Sequence, residues 1–155
     1  MVLLSSLIRL LAVVTLLPCF LFSSGTAEAR SSLIGSYQAD ILRILDGDTV
    51  EARVRIWIGQ TVTIRVRLRG IDAPELKASC MSERKAARKS RAALDQLLRN
   101  RTVRLTAVSG GKYHGRILAD VHLQDGRSLS DIMLARKLAK PYRAPSASWC
   151  SDSPA

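Results

Sequence analysis

The sequence predicts a small α+β domain: a five-stranded β-barrel with a helix between the third and fourth strands and a short C-terminal helix. Three observations predict it. Apolar and polar residues alternate across residues 37–71. The stretch from Ser82 to Asn100 switches to helical spacing. Two more strand-like runs and a cappable helix follow. A chain of 155 residues suits one compact domain.

Tyr37 to Leu45 reads as the first strand, and "DGD" (Asp46 to Asp48) as a hairpin turn. Val50, Ala52, Val54, Ile56 and Ile58 then alternate with Glu51, Arg53 and Arg55. After a turn at Gly59-Gln60, Val62, Ile64, Val66 and Leu68 alternate with Thr63, Arg65, Arg67 and Arg69. Period two over both runs predicts two half-buried strands in a hairpin. From Ser82 to Asn100 the pairs Ala86/Ala87, Ala93/Leu94 and Leu97/Leu98 form one apolar helical stripe, with Glu83 in the first turn and Arg99 in the last. "TVRLTAV" and "GRILADVHL" read as strands around a bend at Gly110-Gly111. After a turn at Asp125-Gly126, Ser128 or Ser130 can cap a helix through Leu138. This is the element order of an OB-type barrel. Other small α+β folds share the same list of elements.

The flanks differ in kind. Met1 to Phe22 carries a single charge, Arg9, and is followed by small and polar residues with Ala27-x-Ala29, the pattern of a cleaved export leader. The reading is therefore a signal peptide at 1–29, a linker at 30–36, the barrel domain at 37–142 and an irregular tail at 143–155. An uncleaved anchor is the alternative, because the apolar run approaches the length of a membrane span. Export leaves Cys80 and Cys150 as an even pair in an oxidising compartment, so a disulfide is expected. Two histidines, His114 and His122, are too few for a zinc cage. The expected location is secreted or periplasmic, as a monomer with no membrane partner after processing.

The net charge of +11 attracts polyanions, chiefly nucleic acid. Only 5% of residues are aromatic, which argues against a large base-stacking platform. Within this basic chain two acidic stretches stand out, "ILDGDTV" and "RLRGIDAPE". Asp48 lies in register with Val50 and Val54, and a regular third strand would put Asp72 in register with Val66 and Leu68. Two carboxylates turned to the apolar side need a cation, and with a backbone carbonyl they form a hard-oxygen site for calcium or magnesium. The alternative is a set of ordinary Asx-turn and loop residues. Arg67 shares its strand face with Arg65 and Arg69, and nothing in the pattern chooses among them. One of them as a two-pronged phosphate grip and a solvated basic stripe both fit.

"ILDGDTV", "VRLRGIDAPE", "YHGRILA" and "DGRSLSDIMLARKLAKPY" together resemble the staphylococcal-nuclease, or thermonuclease, family in order and spacing. The resemblance covers roughly residues 37–142. It implies an OB-fold, calcium-dependent phosphodiesterase acting as an endonuclease on single-stranded DNA or RNA and releasing 3′-phosphorylated products. It implies that Asp48 and Asp72 ligate calcium through carboxylates and Ala73 through its carbonyl. It implies Glu75 as general base, and Arg67 and Arg116 as the arginines on the scissile phosphate. Asp46 would lie just outside the ligand set. His114 and Tyr142 fall at substrate-contacting positions. The chain departs from the family pattern at Lys112, Tyr113 and His114, where Asp-x-Tyr is usual, and at Lys137, where a Gly usually ends the helix, so a different helix end is expected. The competing reading is a non-catalytic nucleic-acid-binding OB module in the cell envelope. Such modules typically lose acid or arginine positions, which here all stand.

Overall fold

Five long strands close into the barrel. The computed structural model describes residues 32–99, 101–111, 114–143 and 149–150. The expected leader and the expected mature start at Arg30 lie outside these residues. The elements are β1 (Ser32–Leu33), β2 (Tyr37–Ile44), β3 (Thr49–Trp57), β4 (Gln60–Leu68), β5 (Ile71–Asp72), α1 (Met81–Leu98), β6 (Thr102–Gly110), β7 (Arg116–His122), α2 (Leu129–Ala135) and β8 (Lys140–Pro141). The main sheet runs β1-β6-β2-β3-β4-β7, and a β6–β7 pairing closes it. The β4–β7 contact is parallel, whereas the other pairings are antiparallel. This is the OB-type barrel that the element order predicts. The segment expected as a linker contributes β1, which pairs with β6.

The core follows the alternation in the lower half of the hairpin. Val50, Ala52, Val54, Val66 and Leu68 are all buried. Ile56 and Ile58 depart from the expected pattern: they are 46% and 89% exposed. There β3 and β4 have run past the elements that would cover them.

Helix α1 lays Ala87, Ser90, Leu94 and Leu98 onto the barrel. Ser90 is fully buried against the turn after β2, and a Cβ on Gly47 would come within 2.8 Å of the Ser90 Cβ and 2.9 Å of the Ala73 Cβ. Glycine there is a packing requirement that ties the helix to the "DGD" turn.

Ser128 is the N-cap of α2, its hydroxyl accepting from the Asp131 N–H, while the Ser130 hydroxyl donates to the Arg69 carbonyl. The helix ends at Ala135, short of Leu138. Lys137 adopts φ 54°, its N–H donates to the Leu134 carbonyl, and the Leu138 N–H donates to Met133. These are the two bonds of a Schellman end. The expectation of a different ending at Lys137 is thus corrected. The left-handed cap persists with a lysine in it, because the two bonds satisfy carbonyls that would otherwise be orphaned.

Two stability outcomes follow. Lys137→Gly is expected to stabilise the protein by about 1 kcal/mol, read as a higher urea midpoint, since glycine removes the Cβ penalty at positive φ. Gly47→Ala is expected to lower stability by about 1–3 kcal/mol in the same measurement, because backbone or helix must give way.

Candidate active site

The site grows from the turn between β2 and β3. The Leu45 and Asp46 amides both donate to the Thr49 carbonyl, at 2.9 and 3.0 Å. This tight reversal presents Asp48, which is only 3% exposed. One Asp48 oxygen accepts from the Thr49 hydroxyl at 2.8 Å and meets the Arg67 Nη1 at 2.7 Å. Its other oxygen accepts from the Ala73 N–H at 3.0 Å. Its carbonyl accepts from the Leu68 N–H at 2.8 Å. A buried carboxylate is costly unless compensated, and here three segments of chain compensate one.

Arg67 is the second node. Its Nη2 lies 3.1 Å from Asp72 Oδ1, so one guanidinium bridges both acids. The route differs from the expected parity. After Leu68 the chain turns at Gly70, with φ 80°, and Ile71 takes the core side at 1% exposure. Asp72 therefore does not continue the inward face of β4. The two carboxylates meet because Arg67 bridges them.

The segment after β5 brings up Glu75. Its N–H donates to Glu83 Oε1 on α1 at 3.1 Å, and its carbonyl accepts from the Ala78 N–H at 3.2 Å. The Glu75 carboxyl is held above its ordinary range by partial burial and by the negative charges of Asp46, Asp48 and Asp72, against Arg67. Asp46 is likewise raised, by burial and then by Asp48, with Arg91 and Arg67 opposing. Asp46 Oδ1 is buried with no hydrogen-bond partner among the described residues. Four carboxylates thus crowd one corner, with Arg67 bridging two of them and Arg91 near Asp46. An excess of hard, negative oxygens with an orphaned buried acceptor fits a divalent cation of the calcium or magnesium type.

The other expected residues surround this corner. In the parallel register Arg65 sits opposite Arg116 and Arg67 opposite Leu118, so Arg65, Arg67 and Arg116 share one face of the sheet. The Gly111 N–H donates to the Arg116 carbonyl at 3.0 Å, and any Cβ on Gly111 would collide with that carbonyl. His114 is exposed in the turn leading into β7. Tyr142 is 59% exposed, and its N–H donates to the Gly70 carbonyl at 2.9 Å. The β5–β8 pairing sets Asp72 opposite Lys140 and keeps Tyr142 beside the Asp72 loop.

The three arginines that the strand pattern leaves interchangeable occupy three different environments. Arg65 is exposed, whereas Arg67 is enclosed by carboxylates. Arg69 donates to the Ala107 carbonyl, to Ser109 Oγ at 2.9 Å and to the Leu118 carbonyl at 3.2 Å, and its Nε lies 3.4 Å from Asp120. It fastens the bulge in β6, where Ala107 has φ 48°.

The expected disulfide is present: Cys80 and Cys150 are joined, at a Cα separation of 5.9 Å. The bridge brings the tail to the start of α1, where Lys140 lies over the Trp149 ring at 4.3 Å. Glu83 lies with the two sulfurs, but bonded sulfurs offer no thiolate to a metal.

The profile of the family described as staphylococcal nuclease homologues matches residues 65–152, more than half of the chain. The chain belongs to the staphylococcal nuclease family. No curated protein matches it. The matched span holds Arg67, Asp72, Ala73, Glu75 and Arg116, while Asp48 precedes it and joins the same cluster in space. Membership of this nuclease family implies a nucleic-acid substrate and a metal-dependent hydrolase lineage.

Three contributors escaped the sequence reading. Glu83 reads there only as a charge suited to the helix dipole, yet it holds the Glu75 amide. Arg91 sits by Asp46, with its Nε on the Ile44 carbonyl at 3.3 Å. Arg69 looks equivalent to its neighbours at period two. Only Glu83, three residues after the helix cap, carries a local signal, since a first-turn glutamate commonly reaches back to an upstream amide.

Glu83→Ala is expected to free the Glu75 amide, read as faster hydrogen exchange at that amide. Glu83→Gln keeps an acceptor oxygen and is expected to restore most of the protection. Amide exchange followed residue by residue in the two variants checks this.

Proposed function

We propose that this protein is an exported, calcium-dependent endonuclease that hydrolyses DNA and RNA to 3′-phosphorylated products. The observation that carries the reading is the knot of Asp48, Arg67, Asp72 and Ala73 with Glu75 alongside. The disulfide and the leader-like N-terminus support a secreted or periplasmic location. Among the described residues no helix is long and apolar enough to cross a membrane.

Phosphodiester attack builds negative charge on the phosphate's outer oxygens. Arg67 and Arg116, on one sheet face, supply positive charge against those oxygens, Arg67 from its place between Asp48 and Asp72. Glu75 takes a proton from the attacking water as its oxygen bonds to phosphorus, and the 5′-oxygen leaves with the electron pair of the broken bond. Its backbone bond to Glu83 orients it. His114 and Tyr142 are exposed beside this corner, which supports a role for them in contacting the flanking nucleotides. A calcium ion held by Asp48, Asp72 and the Ala73 carbonyl would supply fixed positive charge against the phosphate.

The test is cutting of single-stranded DNA and RNA with calcium or with chelator. Arg67→Ala, Arg116→Ala and Glu75→Gln are expected to lose about a hundredfold or more in turnover, with near-normal nucleic-acid affinity, because binding draws on the whole charge field. Arg65→Ala is the control. Arg69→Ala is unsuited to that role, since Arg69 fastens the β6 bulge. Asp48→Asn is expected to raise the calcium concentration needed, as it removes a ligand charge. Binding without cutting in the unaltered protein would reject the enzyme and favour the non-catalytic module.

A further inference from the structure

We propose that the distal end of the β3–β4 hairpin is a membrane-docking tip that seats in the headgroup region of an anionic lipid bilayer. Every residue from Arg55 to Thr63 is exposed, so this end of the hairpin stands clear of the barrel. Ile56, Trp57 and Ile58 form its point, at 46%, 73% and 89% exposure, with Val62 at 36% behind them. Exposed apolar clusters of this kind mark an interaction site. No charge occurs from Ile56 to Ile64, in a chain of which 24% is charged. Arginines bound that stretch on both sides, Arg53 and Arg55 on one strand and Arg65 on the other. Arg55 is steadied by its bond to Gln38 Oε1 at 3.0 Å.

The arrangement of the tip selects the occupant. Ile56 falls at the irregularity in the β3–β4 register between Arg55 and Trp57, and Ile58 lies in the turn itself, so the three apolar side chains crown the end of the ribbon and do not make up one strand face. A protein partner or a second copy would cover one face and leave the other wet. A lipid interface surrounds the point from all sides, takes indole at headgroup depth, and meets the arginine collar with anionic headgroups. Nucleic acid could stack on Trp57, but it offers nothing to Ile56 and Ile58. The site lies at the other end of β3, about 26 Å away at ~3.3 Å per residue, so a docked molecule keeps it open to substrate. This inference departs from the expectation that the processed chain has no membrane partner.

The test uses the chain from Arg30 onward, since the described strands, helices and core lie within residues 32–150. It is sedimented with phosphatidylcholine vesicles with and without phosphatidylglycerol. The expected result is binding to the anionic vesicles. In the triple variant Ile56→Ser, Trp57→Ser, Ile58→Ser the partition coefficient falls about tenfold or more, with an unchanged urea midpoint and unchanged cutting. Arg53→Gln with Arg55→Gln is expected to weaken binding to anionic vesicles only. The proposal is overturned if the unaltered chain stays in the supernatant, or if the triple variant sediments equally, which would assign binding to net charge alone. It is also overturned if the triple variant instead loses affinity for single-stranded DNA, or if it turns a dimer into a monomer on size-exclusion chromatography.

Discussion

The buried carboxylate of Asp48 is the constraint around which the rest is arranged. It sits at the start of β3, and its oxygens are shared among its own turn, Arg67 on β4 and the amide of Ala73 beyond β5. Removing Arg67 would leave that buried carboxylate with neutral donors only, which is destabilising, whereas removing Asp48 would leave Arg67 paired with Asp72. The same contacts bring together the chain segments that carry Asp72, Ala73 and Glu75. Stability and the proposed chemistry therefore draw on one set of bonds.

The cluster is asymmetric in charge. Asp46, Asp48, Asp72 and Glu75 gather in a protein whose net charge is +11. The surrounding field attracts a polyanion, and the acidic corner attracts a cation. A phosphodiester needs both, one to bring it in and the other to sit against the reacting group. Arg67 lies where the two fields meet.

The segment after β5 has no regular structure to hold it, yet it carries Glu75. It is pinned by Glu83 at the start of α1, and α1 is pinned in turn by Ser90 against Gly47 and by the Cys80–Cys150 bridge. The tail beyond β8 is thereby recruited to the same end of the helix. A short chain thus anchors its Glu75 loop through a helix terminus and a covalent cross-link.

Period two and period 3.6 determined the strands, the long helix and the barrel class, because side-chain spacing is set by backbone geometry alone. The spacing of Asp48, Arg67, Asp72 and Glu75 likewise carried the family likeness without any coordinates. Tertiary structure decided the rest. Alternation told which residues share a face but not whether anything covers it, so Ile56 and Ile58 read as core and lie in solvent. Parity failed across Gly70, because a single positive-φ turn reset which side Asp72 faces. Arg65, Arg67 and Arg69 are interchangeable in the pattern. They became an exposed charge, a bridge between acids and a fastener of a bulge only when β3, β5, β6 and β7 closed around them, since a guanidinium's role is set by the groups within its reach.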